Sequence, residues 1–126
     1  MNTLTVSSSA RNYPSLPYQE MKDAILGKRY EASLVFVGPD RARALNIQYR
    51  TKDYVPDVLS FPLTDTVGEV YICPTTAKRE AAKFGHSQQG HIGFLFIHAL
   101  LHLKGYDHGS KMEQREQHYL QKFSLR

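Results

Sequence analysis

Apolar positions along this chain follow two rhythms, one of about two residues and one of about 3.6, and the switches between them mark its elements. A short strand, Leu4 to Val6, comes first, and Ser7, Ser8 and Ser9 with Pro14 and Pro17 then read as a surface connection. Tyr18, Met21 and Ile25 recur at helical spacing from Tyr18 to Leu26, with Gly27 as the stop. Glu31 to Val37 is rich in β-branched and aromatic residues and closes on Gly38, Pro39 and Asp40, a strand meeting a turn. A second helix begins near Pro39 with Ala42, Leu45 and Tyr49 on its inner stripe.

Two further strands are expected at Val58 to Phe61 and Val67 to Cys73, each bounded by proline or glycine. Pro74 opens a third helix with Ala77, Ala81 and Phe84 inside, ended by Gly85. Ser87 caps a fourth, strongly apolar helix whose stripe is Ile92, Leu95, Phe96, Ala99, Leu100 and Leu103, and Gly105 ends it. Ser110 and Glu113 have capping-box spacing, and Met112, Tyr119, Leu120 and Phe123 continue a fifth helix to the C-terminus. The order β-α-β-α-β-β-α-α-α predicts an α+β fold: a small mixed sheet of about four strands covered by about five helices.

Composition narrows the class. With 126 residues, 41% of them hydrophobic, the chain has the size and apolar share of one globular domain spanning residues 1–126. Its longest apolar run, Ile92 to Leu101, contains His98 and falls well short of the ~20 residues a membrane crossing needs. The start has no basic region ahead of a long apolar stretch, so a cytoplasmic protein with no membrane partner is expected. Cys73 is the only cysteine, which excludes an internal disulfide and zinc sites built on several thiolates. A net charge of +4 tilts the balance towards polyanionic partners without specifying one.

Three of the six histidines fall within HALLHLKGYDH. Residues four apart on a helix differ by only ~40° in direction and ~6 Å in height, so His98 and His102 share a face. Gly105 can take the left-handed conformation that turns the chain back and returns His108 as a third ligand. Three imidazoles plus water complete a tetrahedral zinc site, one Zn2+ per chain, with an open position. An H-E-x-x-H peptidase would carry glutamate where this chain has Ala99, so peptide hydrolysis is disfavoured. A zinc ion on neutral ligands acidifies its water to near pH 7 and attracts phosphate, which ranks a phosphodiester above an amide as substrate.

Other residues carry less. His91 lies seven positions before His98, too far for the same ion, and reads as a polar lining or satisfied surface residue; His86 and His118 read as solvent-facing. Asp107 either orients a ligand histidine or caps the turn. Glu116, on the inner side of the last helix, reads first as a rim carboxylate, with an Arg or a ligand His as the alternative partner. Arg50 suits phosphate binding, but its local spacing alone gives an ordinary surface arginine.

HALLHLKGYDH resembles the H-G-x-L-H-L-x-G-Y-D-H signature of the YbeY family of ribosomal RNA maturation factors. LNIQYRTKDYVPDVLSFP is similar to that family's block L-N-x-x-Y-R-x-K-D-x-x-T-D-V-L-S-F-P, and VGEVYIC to its G-D-I-x-I strand. These blocks run from about Leu45 to His108. The resemblance implies a metal-dependent, single-strand-specific endoribonuclease in ribosomal RNA maturation and ribosome quality control. Its partners would be single-stranded and ribosomal RNA and the small subunit or its associated proteins. It implies His98, His102 and His108 as zinc ligands and gives Arg50 a catalytic or RNA-contacting role. Ala99 replaces the signature glycine, Pro56 a threonine and Glu69 an aspartate, and the segments joining Pro62 to Gly68 and following His108 are short. Two other functions remain open at this point: a ribosome-assembly factor with a structural or vestigial metal, and a metal-dependent hydrolase of peptides or other small substrates.

Overall fold

A computed structural model describes residues 3–9 and 13–125. The elements run β1 (Leu4–Ser8), α1 (Tyr18–Leu26), β2 (Glu31–Phe36), α2 (Pro39–Arg50), β3 (Val58–Thr64), β4 (Val67–Ile72), α3 (Pro74–Lys83), α4 (Gln88–Lys104) and α5 (Ser110–Lys122). The strands form one mixed sheet in the order β1-β2-β4-β3. β1 and β4 flank β2 in parallel, and β3 closes the edge antiparallel to β4. The α+β expectation is met.

β2 and β4 alternate buried and half-buried positions, so Ala32, Leu34, Phe36, Val70 and Ile72 enter the core with Met21 and Ile25 of α1 and the apolar residues of α4. Val35, Tyr71, Val37 and Cys73 form a smaller cluster with Ala42 of α2 and Val55. α4 contacts α1, α3, α5, β3 and β4. Ile97 and Leu101 are therefore buried together with Ile92, Leu95, Phe96, Ala99 and Leu100, and the helix has no wide solvent face. Among the described residues no helix is long and apolar enough to cross a membrane.

The structure corrects several local expectations. β1 extends two residues further, with Ser7 opposite Val35 and Ser8 opposite Phe36; on an edge strand exposed serines are as compatible as apolar residues, so composition hid the pairing. β3 runs on to Thr64 through Pro62, which an edge strand tolerates, and only Asp65 and Thr66 separate it from β4. β2 and β4 each end one residue earlier than expected, at Phe36 and Ile72. Tyr49 is 60% exposed and packs on Phe61 at 5.3 Å between ring centroids, while buried Asn46 takes the inward place on α2. Phe84 is 64% exposed, because it sits at the C-terminal cap of α3 just before the left-handed Gly85. No capping box forms on α5: Gly109 is the N-cap, and the Glu113 N–H donates to the Gly109 carbonyl at 3.0 Å.

Candidate metal centre and its cleft

The ligand turn is built by the end of α4. Ser87 caps its start by accepting the Gly90 N–H at 2.9 Å. At its end Gly105 adopts φ 111°, its N–H donates to His102 carbonyl oxygen at 3.0 Å, and the Tyr106 N–H donates to that of Leu101 at 3.0 Å. This paired closure is the Schellman arrangement that a glycine with positive φ permits. It also aims the Tyr106 carbonyl at the Nδ1 of His102, which donates to it at 3.0 Å.

His98, His102 and His108 converge. One ring nitrogen from each lies within 4.8 Å of the others, and among the described residues they are the one group of three or more His, Cys, Asp or Glu so placed. Ring centroids stand 4.5 to 5.2 Å apart. His98 donates from Nδ1 to Glu116 at 2.9 Å. With both Nδ1 atoms acting as donors, the Nε2 atoms of the two rings, 3.1 Å apart, would in the neutral forms turn bare lone pairs towards each other. Two acceptors at that distance repel unless a cation lies between them. Two nitrogens bound tetrahedrally at ~2.05 Å would stand roughly 3.3 Å apart, so the pair fits a zinc-sized ion. Burial first, and then the neighbouring His98, hold the His102 pKa below the usual histidine value, which favours the neutral, ligating form.

Beside these histidines lies a cleft of about 330 Å³ lined by Arg50, Ser60, His98, Ala99, His102 and His108. Register explains the opposite wall: Ser60 pairs with Val70 and Val58 with Ile72, so both side chains share the sheet face that meets α4. Arg50 ends α2 and is exposed; its Nη1 donates to Asn46 Oδ1 at 3.3 Å and lies 3.5 Å from the Tyr54 phenol. Asn46, fully buried, also donates from Nδ2 to the Tyr54 carbonyl at 3.1 Å, which ties the helix end to the following loop.

Two residues read differently in three dimensions. Glu116 is 5% exposed and is the partner of His98, so the rim reading is overturned. His91 is no surface residue: it is 4% exposed, packed among the rings of Phe84, His86 and Phe94, and neither ring nitrogen has a hydrogen-bond partner among the described residues. His86 and His118 are exposed as expected; Asp107 is exposed too. The Tyr106 carbonyl, rather than the Asp107 side chain, holds His102, a role invisible to side-chain identity.

Fold and site together define a small α+β domain that gathers three histidines, able to hold a metal ion, in a cleft shared with an arginine. The family model described as Endoribonuclease YbeY matches residues 8–126, and the chain belongs to the YbeY family. It is 41% identical over 100 residues to the Endoribonuclease YbeY of Geobacillus kaustophilus (strain HTA426), covering 68% of this chain and 64% of that protein. To the Endoribonuclease YbeY of Staphylococcus carnosus (strain TM300) it is 36% identical over 107 residues, covering 75% and 70% respectively. The chain thus spans just under two thirds of the Geobacillus protein's length. The solution structure of TM1509 from Thermotoga maritima superposes with a TM-score of 0.68 at 26% identity, covering 95% of this chain and 88% of that one.

Proposed function

We propose that this protein is a zinc-dependent endoribonuclease that cuts single-stranded RNA in ribosomal RNA maturation and ribosome quality control. The reading is carried by one observation: Arg50 and the three convergent histidines line the same cleft. His98, His102 and His108 would hold the zinc ion, which when bound would supply Lewis acidity and a water acidic enough to attack a phosphodiester. Arg50 binds the phosphate's non-bridging oxygens and neutralises the charge that grows on them during displacement. Asn46 and Tyr54 hold the guanidinium at the cleft before substrate arrives, so little ordering remains to be done. Glu116 and the Tyr106 carbonyl fix the imidazole tautomers.

Ala99 lines this cleft where a peptidase helix would present glutamate, so no carboxylate base accompanies the first histidine. The family's Endoribonuclease YbeY description and the chain's net charge of +4 favour RNA over a neutral substrate. The working surroundings are then the cytoplasm and the small ribosomal subunit or its associated proteins.

Zinc stoichiometry and cleavage of single-stranded RNA, measured together on wild type and His102→Ala, test the proposal. Loss of both in the variant is expected. Metal-stripped protein that binds ribosomal particles fully, beside a holo form that cuts nothing, would instead make this an assembly factor.

A further inference from the structure

The groove does not end at Arg50. Arg50 and Val58 also line a second cavity of about 290 Å³, whose other walls include Tyr54, Asp57, Arg79 and Glu80. One guanidinium thus stands between the histidine cleft and a neighbouring chamber. We infer that this chamber receives the base of the nucleotide adjoining the phosphate held at Arg50, and that it favours bases with an exocyclic amino group. The inference rests on the single-stranded RNA reading above and adds a specificity site to it.

Continuity comes first. A polymer whose phosphate sits at Arg50 must place the next nucleoside beside that arginine, and the shared wall makes the second cavity the adjoining space. Its volume is near the lower end for small-ligand sites, as suits one base with its sugar. Tyr54 is 48% exposed and its backbone is held by buried Asn46, so its ring offers a stacking surface on an anchored loop. Base stacking on such a ring is the usual source of affinity for unpaired strands.

The polar groups then choose between parts of the nucleotide. Asp57 and Glu80 are acceptors when ionised, which disfavours a second phosphate inside the chamber. Carboxylates pair well with the amino groups of cytosine, adenine and guanine. Uracil offers a single imino hydrogen flanked by two carbonyl oxygens that repel them. Glu80 is not locked elsewhere: its partner Lys83 is 3.4 Å away and 62% exposed, an ion pair that water and salt weaken. Arg79, on the same lining, offers N–H donors to the ribose oxygens of that nucleotide.

The test uses zinc-loaded protein and short fluorescent oligomers of adenosine, cytidine or uridine, with binding read by anisotropy and cutting read separately on a gel. Adenosine and cytidine oligomers should bind about tenfold more tightly than uridine. Asp57→Asn and Glu80→Gln should each shrink that ratio, and Tyr54→Ala should weaken all three oligomers by roughly fivefold or more. Zinc content and thermal midpoint confirm that each variant is folded, and either carboxylate variant suffices if the other is not. Equal affinities in the wild type, or a ratio untouched by both variants, overturn the chamber while metal-dependent cutting keeps the nuclease reading intact. A wild type that neither binds nor cuts any of the three sinks both.

Discussion

Glu116 stands behind His98: its buried carboxylate accepts the Nδ1 hydrogen at 2.9 Å, whereas His102 gives its own to the uncharged Tyr106 carbonyl at 3.0 Å. The two imidazoles therefore differ in the charge behind them. A carboxylate makes the facing imidazole a stronger donor and offsets part of the ion's charge. Glu116→Gln keeps an acceptor oxygen but removes that charge, and should lower zinc affinity about 10- to 100-fold. Competition against a chromogenic chelator measures this. Affinity equal to wild type would reduce Glu116 to a packing residue.

Arg50→Ala should leave zinc content unchanged and slow RNA cleavage by about 10²- to 10³-fold, the usual range for losing one donor to a charged transition state. Arg50→Lys should recover only part of the rate, because an ammonium cannot bind two phosphate oxygens in the same fork. Parallel metal analysis and single-turnover cleavage check both halves. Wild-type cutting by Arg50→Ala would remove the arginine from the reaction.

His91 sets a pH dependence. Burial holds its pKa below the usual histidine value; His86 pushes the same way, and Asp57 and Glu80 push upward more weakly than burial does. The unfolded chain takes up a proton near pH 6.5 while the folded one resists until lower pH, so below about 6.5 the unfolded state binds more protons. Stability should fall as pH drops through that window. His102 acts with the same sign, so the comparison needed is metal-free wild type against metal-free His91→Phe at pH 7.5 and 5.5. The variant should lose less stability than wild type on acidification. Identical losses in urea titrations would mean that His91 titrates as freely folded as unfolded.

What could be read in advance, and what could not, divides along physical lines. The convergence of His98, His102 and His108 was legible because four-residue spacing on a helix and a glycine stop are local facts, and the stop does form at Gly105. Arg50 reached the cleft through the family resemblance alone, since nothing in its neighbours says which way α2 ends. Glu116 lies 18 residues from the imidazole it supports, and only the packing of α5 on α4 brings them together. Tyr49 and Phe84 fitted helical stripes and yet are exposed, because a stripe predicts a direction but not whether another element lies there to cover it. The buried Lys22 gave no signal at all, as lysine on a helix is almost always solvated.

That lysine holds the end of α1. α1 has no basic residue in its last turn, and the chain leaving it presents the carbonyls of Gly27 and Tyr30 to Lys22. Lys22, with no exposed surface, folds its ammonium back onto them: Nζ donates to the Gly27 carbonyl at 3.0 Å and the Tyr30 carbonyl at 2.8 Å, with Thr3 Oγ1 and Asp23 beside it. One cation thus closes the helix end and ties α1 to the start of β2. Lys22→Met preserves the aliphatic volume but strips the buried Tyr30 carbonyl and the partly buried Gly27 carbonyl and Thr3 hydroxyl of their donor at once, so it should cost about 2–3 kcal/mol in urea unfolding. Zinc affinity of the folded variant should stay within about twofold of wild type, since the ligands are held by Glu116 and Tyr106. A stability unchanged by Lys22→Met would show that those carbonyls find water instead, and that α1 needs no internal clasp.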